Sequence, residues 1–170
     1  MLIRNVKESD FEEIYNLVKT AFETAKVSSG TEQDFVYELR ARDTYLPECE
    51  FVAEKDGKIV GHILLSRVDV ETDDGGIFKG VMVAPLSVAL EERGNGVGGM
   101  LISNACMMAA ELGYPGAFLV GDPEYYNRFG FVETTEYNIK NDSEIDDKFV
   151  LACPTCTGGF RGIKGKVNLH

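Results

Sequence analysis

The chain has 170 residues, 44% of them hydrophobic, and a formal net charge of −11 from 17 basic and 28 acidic side chains. This acidity argues against nucleic acid and anionic membrane surfaces as partners, because both need a basic face, and it permits a cationic or amine substrate. No segment approaches the roughly 20 apolar residues of a membrane span, and residues 1–6 lack the layout of a signal peptide. We therefore expect one domain over residues 1–170, located in the cytoplasm.

The first half of the chain predicts a strand, two helices and three further strands. Apolar residues recur at helical spacing from Phe11 to Phe22, and the capping-box pattern at Ser9 marks a helix start. The pair Asp56-Gly57 between two apolar runs is typical of a hairpin turn. The predicted elements are a strand at 1–6, helices at 9–25 and 31–40 with a break at 26–30, and strands at 50–55, 58–71 and 78–90.

The second half predicts a long helix and then shorter elements. Val97, Leu101 and Ala105 begin an apolar stripe that predicts a helix over 97–112. A strand at 117–120, a helical turn at 122–129, a strand from 130, a polar irregular segment at 134–148 and strands at 149–152 and 163–168 follow. Hairpins join the central strands and a helix joins the fourth strand to the fifth. This order predicts an α/β (α+β) fold with a mixed, mostly antiparallel sheet and helices on both faces.

The most informative local pattern is the run from Arg93 to Gly98, which reads Arg-Gly-Asn-Gly-Val-Gly. It lies between an apolar strand and the long predicted helix. A strand that ends in a glycine turn and opens into a helix leaves several backbone N–H groups pointing the same way, at the positive end of the helix dipole. Such a turn suits a phosphate or a pyrophosphate.

Two patterns overlap at this turn. Residues 94–99 match G-x-G-x-x-G, the dinucleotide fingerprint, and Asp122 stands where a ribose-binding acid is expected. The context argues against a dinucleotide site, because Glu91, Glu92 and Arg93 separate the strand from the glycines and too few residues follow for the remaining βαβ units. Read from Arg93 instead, the same turn is Arg-x-x-Gly-x-Gly.

This second pattern resembles the central signature of the GNAT superfamily of N-acetyltransferases, and Tyr126 before Gly130-Phe131 is similar to its second signature, Tyr-x-x-x-Gly-Phe. Residues 119–131, 61–64 and 84–88 resemble a bacterial subfamily of predicted N-acetyltransferases, and the resemblance covers residues 1–135. That range would be the core of the domain, with C-terminal strands in 136–170. The chain departs from the family pattern at Leu90, Leu119 and Asp122, where members often carry proline, asparagine and alanine.

The resemblance implies that the chain binds acetyl-CoA as cosubstrate and acetylates an amine directly. The backbone N–H groups of Arg93, Gly94, Asn95, Gly96, Val97 and Gly98 would then hold the pyrophosphate. The pantetheine arm would pair with the strand backbone at Leu86, Ser87 and Val88, where one N–H group, of Leu86 or Val88, would bind the acetyl oxygen. Tyr126 would protonate the departing thiolate as a general acid.

Several points stay open at the level of sequence. The general base is not identified: His62, Asp69 and Glu71 are candidates acting through water, although a buried, satisfied histidine and a solvated strand end are the simpler interpretations. The four cysteines are expected to be free thiols, and Cys153-Pro-Thr-Cys156 is expected to be a structural turn without metal. The acceptor is a small-molecule amine or a protein or peptide amine, and the oligomeric state, including a homodimer, is open. A non-catalytic CoA-binding regulatory module and, less favoured, a dinucleotide-dependent oxidoreductase are the alternative functions.

Overall fold

The computed structural model describes residues 1–26 and 28–169. The predicted break at 26–30 includes Val27, which lies outside the described residues. The helices are α1 (Phe11–Phe22), α2 (Glu32–Arg40), α3 (Val97–Glu111) and α4 (Pro123–Tyr126). The strands are β1 (Leu2–Asn5), β2 (Tyr45–Lys55), β3 (Lys58–Thr72), β4 (Ile77–Val88), β5 (Gly116–Val120), β6 (Val132–Glu133), β7 (Ile139–Asn141), β8 (Val150–Pro154) and β9 (Gly165–Val167).

The strands form a mixed, mostly antiparallel sheet flanked by helices, as the sequence predicted. The chain divides into two compact units, each described by itself below. The first unit comprises Met1–Ser66 and Val83–Met108, and the second comprises Arg67–Met82 and Ala109–His170. Over the described part of the chain, no helix is both long enough and apolar enough to cross a membrane.

In the first unit, antiparallel strands β1, β2 and β3 lie side by side and carry α1 and α2 on one face. The helices bury Ile14, Val18, Val36 and Leu39 against apolar side chains of β2 and β3. The first turns of α3 pack on β3 at Gly61, where an added Cβ would lie 2.8 Å from Leu101 Cδ1. That close approach brings the start of α3 down onto the sheet.

In the second unit, β4 and β5 pair in parallel, with Val81 opposite Ala117 and Met82 opposite Phe118. The parallel pairing follows from the helical connection between the two strands, because a tight hairpin joins only antiparallel strands. Beyond β5 the order is β8 and then β6, both antiparallel to their neighbours. Three aromatic rings pack in the core of this unit, with Phe160 tilted against Phe78 and edge-on to Phe118, each at a centroid distance of 5.5 Å.

The structure differs from the predicted elements at three places. Strand β2 begins at Tyr45 rather than at 50. The sequence prediction missed its first residues because they include Pro47 and Glu48 and lack the apolar pattern of a strand. The strand expected from 130 is confined to β6. The segment expected to be irregular contains β7, which pairs in parallel with β9. This pairing satisfies its backbone hydrogen bonds, although its polar sequence shows no strand pattern.

Candidate active site

The predicted site residues fall in both units. Residues 86–88 and 93–98 belong to the first unit, and Tyr126 belongs to the second. The two parts are therefore built up separately, from the elements that hold each of them.

The glycine turn lies directly before α3 and is open. Gly94 has φ 82° and Gly96 has φ 79°, both in the left-handed region, so the backbone path itself favours glycine at these positions. A Cβ built on either residue meets no protein atom within 4 Å, which means that the turn faces open space. The helix starts on Gly96, whose carbonyl oxygen accepts a hydrogen bond from Met100 N at 3.1 Å.

The N-terminal end of α3, here called its mouth, therefore presents backbone N–H donors. The first N–H groups of a helix have no carbonyl one turn earlier to bind, and here they belong to Val97, Gly98 and Gly99. The side chain of Val97 is 1% exposed and packs inward, so it does not cover the helix mouth. The unpaired amides and the helix dipole together make this turn suitable for an anion of the size of a phosphate.

Arg93 anchors the turn to α1. Its guanidinium donates from Nη2 to Ala21 O at 2.8 Å and from Nη1 to Thr24 Oγ1 at 3.0 Å. Its backbone N–H lies 3.4 Å from Leu90 O and closes a short 3-10 turn. The side chain that the motif marks as a cofactor contact thus ties the loop to the C-terminal end of a neighbouring helix.

A second set of contacts holds the turn from the opposite side. Lys55 Nζ lies 2.9 Å from Glu92 Oε1, and Asn95 Nδ2 donates to Glu92 Oε2 at 3.4 Å. The hydrogen bond from Lys55 lowers the pKa of Glu92 below its ordinary value. The charge of this carboxylate is therefore offset by a lysine, which limits its repulsion of an anion at the turn.

The end of β4 carries the other predicted cofactor contacts. Ala89 N donates to Val60 O at 2.8 Å, which links the residue after β4 to β3. Because successive N–H groups of a strand point to opposite edges, a regular strand directs the N–H groups of Leu86 and Val88 away from β3. The side chain of Ser87 is 3% exposed, whereas Leu86 and Val88 are half-buried.

Tyr126 is held by the short helix α4. Asp122 caps this helix by accepting a hydrogen bond on Oδ1 from Glu124 N at 2.9 Å. The Tyr126 ring lies edge-on to Tyr125 with centroids 4.9 Å apart and to Phe131 at 6.1 Å. The pKa of the Tyr126 phenol is raised, mainly by burial and to a smaller extent by the neighbouring Tyr125. The phenol is consequently protonated at neutral pH, which is the state that a proton donor requires.

Gly121 controls the orientation of the Tyr126 ring. A Cβ added at Gly121 would lie 2.5 Å from Tyr126 Cε2, so any other residue forces the ring to move. We expect Gly121→Ala to lower kcat about tenfold, because a small misplacement of a reacting group costs up to about a hundredfold. A double-mutant cycle checks this: in a Tyr126→Phe background the same substitution should have little further effect. Full additivity of the two changes would contradict the assignment.

The structure also shows a buried polar cluster that the sequence did not predict as a cluster. Glu50, at 0% exposure, accepts hydrogen bonds from Arg40 Nη2 at 2.6 Å and His62 Nε2 at 2.8 Å, and Tyr45 Oη also donates to it. Burial raises the pKa of Glu50, but the bonds from His62, Arg40 and Tyr45 outweigh it and lower the pKa to about 2. His62 is buried, as the sequence favoured, but it is only partly satisfied: Nε2 is hydrogen-bonded and Nδ1 has no partner among the described residues.

Two atoms of this cluster, Arg40 Nη1 and His62 Nδ1, are buried without a hydrogen-bond partner among the described residues, and so is Ser87 Oγ of β4. Each such atom costs about 1–3 kcal/mol of stability. Asp69 and Glu71, the other candidate bases, are exposed near the end of β3, as the simpler interpretation predicted. The sequence signals for the cluster were two polar residues within otherwise apolar runs, Glu50 in β2 and His62 in β3.

The cysteines agree with the expected reduced state. Cys49, Cys106, Cys153 and Cys156 are free thiols. Cys153 Sγ lies 3.8 Å from Phe129 O, below the turn that follows Tyr126, and Cys156 is exposed in a turn. Cys106 is half-buried. Burial raises the pKa of Cys49 to about 11, so its thiolate is disfavoured.

Relatives of this chain identify its family. A family model described as an acetyltransferase (GNAT) domain matches residues 2–133. The uncharacterized N-acetyltransferase YhbS of Escherichia coli strain K12 is 31% identical over 170 residues, which covers 100% of this chain and 96% of that protein. The uncharacterized N-acetyltransferase YjhQ of the same strain is 34% identical over 116 residues, which is 64% of this chain and 60% of that protein.

Solved structures agree with these relatives. The crystal structure of YhbS from Escherichia coli in complex with CoA has a TM-score of 0.85 and 28% identity, and the match covers 99% of this chain and 89% of that one. A GNAT family acetyltransferase from Brucella melitensis in complex with acetyl-CoA has a TM-score of 0.77 and 28% identity, with 99% and 95% covered. From its sequence, its fold and its full-length relatives, this chain belongs to the GNAT family of N-acetyltransferases.

Proposed function

We propose that this enzyme binds acetyl-CoA and transfers the acetyl group directly to a primary amine. The observation that carries the proposal is the open turn before α3, where two left-handed glycines expose backbone donors and no protein atom lies within 4 Å of their missing side chains. The CoA and acetyl-CoA complexes of the two similar structures support it.

The cosubstrate is held by backbone groups of the first unit. The amides of residues 94–98 bind the diphosphate. The Arg93 N–H, which the sequence also assigned to this role, is bonded to Leu90 O, and the Arg93 side chain fixes the loop through its bonds to Ala21 and Thr24. The amides of the pantetheine arm pair with residues 86–88 in the manner of an added strand. An N–H group of Leu86 or Val88 binds the thioester oxygen and stabilises the oxyanion that forms when the amine attacks.

Tyr126 supplies the proton that the leaving group needs. When the tetrahedral intermediate collapses, the C–S bond breaks and the thiolate of CoA takes the phenolic proton. The raised pKa of Tyr126 keeps that proton in place until then. The phenol hydroxyl makes no hydrogen bond with any of the described residues, so its proton is not committed to another acceptor.

Direct transfer is favoured over an acetyl-cysteine intermediate. A nucleophilic cysteine needs a lowered pKa and an accessible sulfur. Cys49 is fully buried with a raised pKa, and burial also raises the pKa of Cys153. The neutral form of the acceptor amine therefore attacks acetyl-CoA itself. The acidic charge of the chain favours an acceptor that arrives as an ammonium ion, and this ion loses one proton to water before it attacks.

Two measurements test this function. Acetyl-CoA at a hundredfold excess over Kd should stabilise the native protein by about 2.7 kcal/mol, whereas NAD(P)H should have no effect. A panel of small amines and peptide N-termini should then release free thiol from acetyl-CoA. Binding without thiol release for any amine would indicate a CoA-binding module, and stabilisation by NAD(P)H alone would indicate an oxidoreductase.

A further inference from the structure

The Glu50–His62 pair has the arrangement of a base held in one tautomer. Glu50 is ionised, so it only accepts hydrogen bonds, and His62 Nε2 at 2.8 Å must be the donor. Burial lowers the pKa of His62, so the ring is neutral near pH 7. A neutral ring with hydrogen on Nε2 leaves a lone pair on Nδ1, and that buried atom has no partner among residues 1–26 and 28–169.

The alignment of β3 and β4 places Ser87 close to His62. Strands β3 and β4 are hairpin neighbours, and the hydrogen bond from Ala89 N to Val60 O sets their alignment at the end of β4. A regular antiparallel ladder continued by two residues places Ser87 opposite His62, and opposite side chains on one face lie about 5 Å apart at Cβ. Ser87 Oγ is also buried without a partner in the described structure, so the hydroxyl and the imidazole nitrogen are both unsatisfied and are not hydrogen-bonded to each other. Proton transfer between them requires the Ser87 side chain to rotate about χ1 so that Oγ reaches Nδ1.

We infer that Glu50, His62 and Ser87, here called the buried relay, accept the proton that the attacking amine loses. This rests on the proposed function, because Ser87 belongs to the strand segment assigned to the thioester. As the new C–N bond forms, the amine proton passes through a water molecule to Ser87 Oγ, and the Ser87 hydroxyl proton passes to His62 Nδ1. The resulting imidazolium is stabilised by Glu50 and returns its proton to solvent along the same path. CoA leaves with the proton of Tyr126, and the Tyr126 phenolate then takes up a proton from solvent.

The charged groups around His62 define the pH dependence of this relay. Glu50 from β2 favours the imidazolium, Arg40 from α2 opposes it, and Tyr45 binds the same carboxylate. Because a base must be neutral to act, kcat should fall as the pH drops through the pKa of His62. Burial lowers the pKa of His62 below the ordinary histidine value of about 6.5, so the acidic limb of the kcat profile should lie below that pH.

The decisive variant is His62→Gln, since its amide still donates to Glu50 but its oxygen does not take up a proton. We expect kcat at pH 7 to fall about tenfold or more, and the acidic limb of the kcat profile to disappear. The Kd for acetyl-CoA, measured by calorimetry, should stay within twofold. An unchanged kcat profile in His62→Gln would overturn the relay.

Ser87→Ala provides an independent arm, because it keeps the strand backbone and removes only the hydroxyl. It should lower kcat with unchanged coenzyme affinity, and Ser87→Thr should restore part of the activity. Thr134→Val is the matched control, since Thr134 is another buried hydroxyl without a described partner, and its kcat profile should match the wild type. Equal effects of Ser87→Ala and Thr134→Val on kcat would overturn the relay but leave the proposed function standing. A wild-type protein that binds acetyl-CoA but acetylates no amine would overturn the proposed function as well.

Discussion

Replacing Tyr126 by phenylalanine should lower kcat about a hundredfold while the Kd for acetyl-CoA stays within twofold. The ring contacts with Tyr125 and Phe131 remain, so the change removes only the hydroxyl. A positioned general acid contributes about 10²–10⁴ in rate, and the thiolate must otherwise take its proton from water. Steady-state thiol release and calorimetric titration with acetyl-CoA measure the two quantities.

Tyr125→Phe is the control for this experiment. Tyr125 lies on the same short helix and contacts Phe129 and Arg128, so the variant makes the same chemical change in the adjacent residue. Its turnover should remain within twofold of the wild type. Equal turnover of the Tyr126 variant and the wild type would remove the proton-donor role of Tyr126.

Replacing Gly96 by valine should weaken acetyl-CoA binding about 10–100-fold. At φ 79° a β-branched residue forces the turn to change shape, and the amides at the mouth of α3 then lose their common direction. A hydrogen bond to a charged group contributes about 1.5–3 kcal/mol, which corresponds to the stated loss of affinity. Fluorescence or calorimetric titration with acetyl-CoA measures the effect.

The control for this change is Gly75→Val. Gly75 has φ 87°, and a Cβ there also meets no protein atom within 4 Å, so the backbone strain is matched in a different turn. Both variants should lose similar stability in thermal unfolding, and only the Gly96 variant should lose affinity. Retention of wild-type affinity by Gly96→Val would show that the amides of this turn do not hold the diphosphate.

Local sequence was sufficient for the elements whose cause is local. The spacing of Ile14 and Val18 predicted α1, the Asp56-Gly57 pair predicted the hairpin between β2 and β3, and the glycines after Arg93 predicted an open turn before α3. Strand β7 was missed for the opposite reason. Its three residues carry no strand pattern of their own, and they become a strand through pairing with β9.

The motif predicts the position of Arg93 in the loop but not the partners of its side chain. The motif marks the residue as part of a cofactor loop, and this placement follows from the local chain. Its guanidinium, however, binds Ala21 O at the end of α1 and Thr24 Oγ1 just after that helix, in a segment that is distant in sequence. Which partner a long side chain finds depends on the packing of α1, and no local pattern contains that information.

The sequence by itself determined the family and the order of the main elements, and it predicted an anion-binding glycine turn, because each depends on residues adjacent in the chain. Only the tertiary structure decided that Arg40, Glu50 and His62 share one buried cluster. Their side chains come from a helix and two strands, and their protonation states depend on burial and on mutual hydrogen bonds. These are properties of the folded protein, and they exist only after the elements have packed.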